Sequence, residues 1–317
     1  MILAKIILTK IVLPKIGRTL RNEQAPTNGR TKRSLSKLRD YLVLTKPEVN
    51  LLILMTTSAG YYLGLVGPLH ISGLLNTLIG TLLVASGTAT LNQRMERVWD
   101  GQMRRTAGRP IPSGRVNSGE ALLFGIALSA AGGLYLSLVV NRLSSLLAIS
   151  TLLSYLLIYT PLKRRTPLCT LLGAIPGAMP TMIGWAGASG HIDLRAMFLF
   201  AVMFLWQFPH FLAIALMYRE DYQRAGYRML PRFDLDSHFT RVEIVIFTCL
   251  LIVITLLPPA TGARPVYFGA MLVAGGFLLH HSLRLAASAS RLLASRLLHA
   301  SVIYLPVVLA IIALAKH

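Results

Sequence analysis

The chain has 317 residues, of which 54% are apolar and only 14% charged, and its mean hydropathy is +0.60. That composition excludes a water-soluble globular domain, a disordered chain and a disulfide scaffold, since the two cysteines, Cys169 and Cys249, both lie within apolar runs. The net charge of +20 does not point to nucleic acid, because the basic residues fall between long apolar runs rather than along one soluble face.

Taken in chain order, segment 1–20 is apolar but interrupted by Lys5, Lys10, Pro14 and Lys15, so it does not span a bilayer easily. It lacks the uninterrupted apolar core and small-residue cleavage site of a signal peptide. Two readings stay open, an amphipathic arm on anionic lipid and an import presequence, and the arm is favoured. Residues 22–36 read as a polar linker. Nine later segments approach the roughly 20 apolar residues that a helix needs to cross hydrocarbon: 49–67, 72–90, 121–140, 144–159, 168–185, 196–217, 242–258, 266–282 and 298–315. The expectation is an all-α integral membrane protein, with an arm and linker over 1–48 and a nine-span domain over 49–317.

Alternating nine spans places 28 of the 32 Lys and Arg on the side of the N-terminal arm, leaving Arg142, Arg195, Arg264 and Lys316 opposite. Because positive loops are retained during insertion, that side is expected to be cytoplasmic in a bacterial plasma membrane, with the mitochondrial inner membrane as the alternative. The long polar connections 91–120 and 218–241 both fall on it, and function concentrates in such connections.

The first of them begins LNQRMERVWDGQMRRTAGRP. If span two continues as a helix, Asn92, Glu96 and Asp100 stand at i, i+4 and i+8 and project one way. Such an oxygen-rich stripe suits Mg²⁺, which takes carboxylates together with water and phosphate oxygens. Arg104, Arg105 and Arg109 follow, and guanidinium forks match diphosphate oxygens. The alternative is a solvated connector whose acids pair with its arginines.

A second cluster on the same side shifts the balance. In MYREDYQRAGYRMLP, Glu220 and Asp221 lie among Arg219, Arg224 and Arg228. Three helical turns before Asp221 stands His210, with Gln207 on much the same stripe; polar groups inside a span face a bundle interior or a cavity. His210 reads as an interhelical hydrogen bond in preference to a substrate contact, and Pro209 would bend the helix beside it. Lys46 precedes span one, and Lys163, Arg164 and Arg165 follow span four. These four read as topology and helix-end residues, with phosphate contact second, and Lys163 and Arg164 are the diphosphate candidates among them. Glycines and prolines of span five, including Gly173, Pro176, Gly177, Pro180 and Gly184, permit close helix approach.

These blocks together resemble the intramembrane prenyltransferases of the UbiA type. The likeness rests on LTKPEV at 44–49, NQRMERVWDGQMRRTAGRP at 92–110, YTPLKRRTP at 159–167, GAIPGAMPTMIGWAG at 173–187, WQFPHF at 206–211 and REDYQRAGYRMLP at 219–231. The first long block combined with WQFPHF resembles the branch that farnesylates haem b to haem O rather than the quinone-forming branches. The resemblance implies a UbiA-like bundle around a central cavity, with eight helices in two related halves. It implies Mg²⁺ held on farnesyl diphosphate by Asn92, Glu96, Asp100 and, from the other half, Asp221, with Arg105 and Arg109 gripping the diphosphate. Haem b is the implied acceptor, with contacts from Gln207 or His210, and a haem A synthase is a candidate partner. Met217, four residues before Asp221, departs from the wider family's second acidic pair and puts a full second metal site in doubt. The competing readings are prenyl transfer to an aromatic quinone or pigment precursor, and a secondary transporter. The transporter is disfavoured because the charged groups gather at one membrane surface rather than near the midplane.

Overall fold

A computed structural model describes residues 29–228, 234, 236–257 and 265–316; segment 1–20, with its arm-or-presequence reading, lies outside them. The helices in chain order are α1 (Gly29–Leu44), α2 (Pro47–Gly64), α3 (Ile71–Met95), α4 (Arg97–Gln102), α5 (Ser118–Tyr135), α6 (Arg142–Leu153), α7 (Cys169–Ser189), α8 (Leu194–Met217), α9 (Arg219–Arg224), α10 (His238–Leu256), α11 (Pro265–Ala287) and α12 (Arg291–Leu314). Both α5 and α6 run on as π-helical turns, over Leu136–Val140 and Ser154–Tyr159, and α6 closes with Thr160–Leu162. Among the described residues there is no strand.

Eight of these helices are long and apolar enough to cross a membrane, which makes the chain a multi-pass membrane protein. Nine spans were expected. The remaining candidate, α2, has 18 residues, but Glu48, Asn50 and its threonines and glycines dilute the apolar run. It nevertheless packs along α7 within the same bundle. Several boundaries differ from the sequence expectation, among them the starts of α12 and α1. Helix α12 begins at Arg291, because Ser290 caps it by accepting the Leu293 amide and long basic side chains are compatible with a helix at the membrane surface. Helix α1 covers part of the expected linker from Gly29 on. It is docked by Tyr41, whose hydroxyl donates to Glu120 at 3.0 Å and whose ring meets Phe124 edge-on at 4.9 Å, and by an Arg115–Asp40 pair at 2.9 Å.

Helices α2 and α7 approach so closely that a Cβ on Gly60 would lie 2.1 Å from the Thr181 carbonyl oxygen, and one on Gly184 2.0 Å from that of Thr57. Lipid is as apolar as the side chains, so association relies on such backbone proximity and on interhelical hydrogen bonds. On the other flank, α8 packs against α7, α10 and α12. Phe208 stacks on Phe247 with centroids 3.6 Å apart, and the Trp206 indole donates to the Ser301 carbonyl at 2.8 Å. Gly184→Val is expected to destabilise the protein by about 2–3 kcal/mol through overpacking, while Gly276→Ala, with open space around it, is neutral; thermal unfolding in detergent micelles measures both.

Candidate active site

The turn before α2 fixes the first wall. Lys46 is in the left-handed region, with φ 50°, a conformation that costs a non-glycine residue about 1–2 kcal/mol. Its surroundings over-determine it: Gln93 donates to the Leu44 carbonyl at 2.8 Å, Asn50 donates to the Thr45 carbonyl at 2.9 Å, and Pro47 opens the helix. The Lys46 ammonium donates to Asn92 Oδ1 at 3.2 Å. The Asn92 amide in turn donates to the Thr160 hydroxyl at 3.1 Å, which donates to the Tyr155 carbonyl at 2.8 Å.

Helix α3 ends at Met95, and Glu96 (φ −90°, ψ 4°) separates it from α4. The backbone bonds from Glu96 N to Asn92 O (2.9 Å) and from Asp100 N to Glu96 O (2.8 Å) persist through the break, so the i, i+4, i+8 spacing still brings the three oxygen-bearing groups to one side. All three are at most 5% exposed. Glu96 is paired with Lys163 at 2.8 Å, and Asp100 with Arg109 at 2.6 Å. Burial works against the charge on Glu96, but the Lys163 ammonium outweighs it and holds the carboxyl below its usual range. Burial likewise opposes the Lys163 charge, and Glu96 reverses the effect, keeping the ammonium well above its usual pKa. Lys46 is pushed down to about 7, first by burial and then by the Arg109 and Lys163 cations, with Glu96 and Asp100 offsetting part of this.

Loops from the other half complete the face. The Arg228 amide donates to the Lys163 carbonyl at 2.8 Å. Met103 and Trp99 pack on Ala225, Tyr227 and Tyr222. Arg105 lies over the Tyr218 ring at 4.8 Å and donates to the Tyr222 hydroxyl at 3.4 Å. Tyr227, which sequence reasoning missed, is buried and hydrogen-bonded to Glu96; burial first, then the Glu96 charge, push its phenol pKa up. A tyrosine in a loop block carries no chemical signature by itself.

Two expected groupings separate. Lys163 turns inward to Glu96, whereas Arg164 is exposed and stacks over Trp99 at 4.2 Å, because consecutive residues at a helix end point apart. Gln207 and His210 also diverge. Gln207 donates to the Ala174 carbonyl of α7 at 2.9 Å, while His210 Nδ1 lies 2.9 Å from the Ser301 hydroxyl of α12. That hydroxyl already donates to the Leu298 carbonyl, so His210 is the donor, and its ring stacks on Trp206 at 4.7 Å. Asp221 is buried, but the ion pair made by its carboxylate is with Arg224 of its own helix.

As a cation site, Asn92, Glu96 and Asp100 offer an amide and two carboxylates, a hard all-oxygen donor set that suits Mg²⁺. Among the described residues no three His, Cys, Asp or Glu converge as a cage. With only three oxygen-bearing groups, the set would leave positions open to phosphate oxygens and water, as Mg²⁺ sites usually do. Cavities lined by described residues flank the bundle. One of about 40 Å³ opens at the far end, beside Arg195 and Lys316; another, of about 510 Å³, lies next to this site, with Thr160 in its wall. Lys163→Met is expected to cost about 3 kcal/mol by leaving the Glu96 charge buried without its partner. Lys163→Met/Glu96→Gln should recover most of that loss, which thermal unfolding of the three proteins reads out.

The paired span-and-loop architecture has relatives. The family model for the UbiA prenyltransferase family matches residues 53–313. The protohaem IX farnesyltransferase of Solibacter usitatus is 47% identical over 289 residues, covering 88% of this chain and 99% of the relative. That of Salinibacter ruber is 39% identical, covering 87% and 98%. Among solved structures, a digeranylgeranylglyceryl phosphate synthase superposes with a TM-score of 0.73 at 18% identity, over 89% of this chain and 99% of that one. A UbiA homologue from Archaeoglobus fulgidus bound to GPP and Mg²⁺ gives 0.61 at 15%, over 86% and 99%, and at these identities the two share the fold. A family match across nearly all of the helical bundle, together with relatives matched over almost their whole length, makes this chain a member of the UbiA prenyltransferase family.

Proposed function

We propose that the protein transfers the farnesyl group of farnesyl diphosphate to a vinyl group of haem b, giving haem O and diphosphate. The likeness to protohaem IX farnesyltransferases over 98–99% of their length carries the reading, and the buried acid–base cluster on the loop face is compatible with it. In the reaction, the allylic C–O bond breaks and its electron pair leaves on the diphosphate. The vinyl π pair forms the new C–C bond, and the resulting cation takes up water and releases a proton. No side chain needs to act as a nucleophile.

Arg105, Arg109 and Lys163 bind diphosphate oxygens, the guanidiniums by two parallel hydrogen bonds and the ammonium as a point charge. Asn92, Glu96 and Asp100 would hold Mg²⁺, with Asp221 contributing from the second half. When bound, Mg²⁺ would supply neutralisation of the charge that develops on the leaving diphosphate. Well-placed charges of this kind contribute about 3 kcal/mol each to lowering the barrier. Leu, Ile and Ala of the surrounding helices keep water from the allylic cation. Gln207 and His210 are read as fastening α8 to α7 and α12. The loop face is assigned to the cytoplasmic side of a bacterial plasma membrane, where haem O would pass to a haem A synthase.

Protein in nanodiscs supplied with Mg²⁺, farnesyl diphosphate and haem b should yield haem O by mass spectrometry, whereas aromatic quinone precursors should remain unprenylated. Chelation with EDTA abolishes product and Mg²⁺ restores it. Asp100→Ala and Asp221→Ala each lower turnover about a hundredfold or more while remaining membrane-inserted. Full turnover by both variants would defeat the assignment.

A further inference from the structure

Four arginines, Arg94, Arg97, Arg164 and Arg165, surround the open cavity of about 510 Å³ between the end of α3, α4 and the end of α6, with Trp99 and Thr160 in its walls. Among the described residues none of the four is ion-paired, because the nearby acids Glu96 and Asp100 are turned inward to Lys163 and Arg109. Their partners are neutral: the Ser118 carbonyl for Arg94 at 3.2 Å, the Arg94 carbonyl for Arg97 at 3.0 Å, and the Trp99 ring for Arg164 at 4.2 Å. Four like charges around one space repel one another, and an anion relieves the repulsion.

Position selects the kind of anion. Met95 ends span α3 and Pro161 lies in the last turn of the span begun by α6, so the cavity opens where helix ends meet the headgroup layer. One turn deeper, α6 presents Leu157 and Ile158 as exposed apolar side chains. Basic pockets between spanning helices on the positively charged face suit anionic headgroups. We propose that this cavity binds the headgroup of an anionic phospholipid, its phosphate between Arg97 and Arg165 and its acyl chains against the apolar side of α6. The bound lipid lies against the Thr160 wall that also receives the Asn92 amide.

The test uses the full chain in nanodiscs of phosphatidylcholine containing a minor fraction of phosphatidylglycerol, with retained lipid read by native mass spectrometry. Wild type is expected to keep one phosphatidylglycerol per chain. Each guanidinium near an anionic headgroup strengthens binding about fivefold, so Arg97→Gln/Arg165→Gln weakens retention about twenty-five-fold. Arg284→Gln/Arg296→Gln, exposed residues outside the cavity, leaves it unchanged. Should the double variant unfold in phosphatidylcholine alone, Arg165→Gln is measured instead, with an expected loss of about fivefold. Equal retention by the cavity and control variants overturns the proposal. So does displacement of the lipid by equimolar inorganic phosphate, which would make the site one for a free anion, or by equimolar haem b, which would make it an acceptor site.

Discussion

Two carboxylates buried at the end of an apolar bundle are tolerable only if each finds a cation, since taking either ion out of water alone costs several kcal/mol. The rest of the loop face is arranged around that requirement. Lys163 reaches Glu96 from the end of α6, Arg109 reaches Asp100 from the connection after α4, and Lys46 meets Asn92 from the turn before α2. The turn before α2 and the end of α6, both distant in sequence, are thereby fastened to the end of α3, and the connection after α4 folds back onto Asp100 of α4; the strained Lys46 backbone is tolerated where that fastening demands it.

The two halves solve the same geometric problem with different chemistry. Helix α3 is followed by one irregular residue and a six-residue helix, and α8 is followed by one irregular residue and a six-residue helix. The irregular residue is Glu96 in the first half and Tyr218 in the second. At that position the second half thus presents an aromatic face, and Arg105 of the first half lies upon it. Asp221 sits one position earlier in its short helix than Asp100 does in the other, and Arg224 already balances it. The halves are related in backbone but asymmetric in charge, which is why the hard-oxygen stripe belongs to the first half and the second half closes over it with tyrosines.

Helices were legible in the sequence because hydropathy reports burial in lipid directly: α8 ends at Met217, as its apolar run predicted, and α3 overruns its predicted end only where it emerges among charged residues. The asymmetry of Lys and Arg anticipated that the loops after α3, α6 and α8 share one face, which the Arg228–Lys163 bond and the Asn92–Thr160 bond require. Spacing anticipated the Asn92, Glu96 and Asp100 stripe because local backbone geometry fixes it. Which cation neutralises which acid was not legible, since that depends on distant chain segments meeting. The same limit made Lys163 and Arg164 look equivalent, and made Gln207 and His210 look like one stripe when each is taken by a different neighbouring helix. Tyr227 left no trace in pattern or charge, because its significance is burial beside Glu96.

The pairing also bears on how a diphosphate would be received under the proposed function. Lys46, Lys163 and Arg109 exceed Glu96 and Asp100 by one charge, and a Lys46 pKa pushed down to about 7 makes even that surplus partial at neutral pH. At those residues a bare diphosphate therefore meets charges already paired, with Arg105, held on the Tyr218 ring and the Tyr222 hydroxyl, standing outside the pairs. Its oxygens can recruit Lys163 and Arg109 only as these relinquish their carboxylates, and a carboxylate so released must not remain buried alone. Under the proposed function, substrate binding at this face would be an exchange of counter-ions, in which the carboxylates given up by the basic side chains would need a new positive partner such as Mg²⁺. A site built from arginines alone would bind the anion without that exchange, and would not tie its occupation to the presence of a metal.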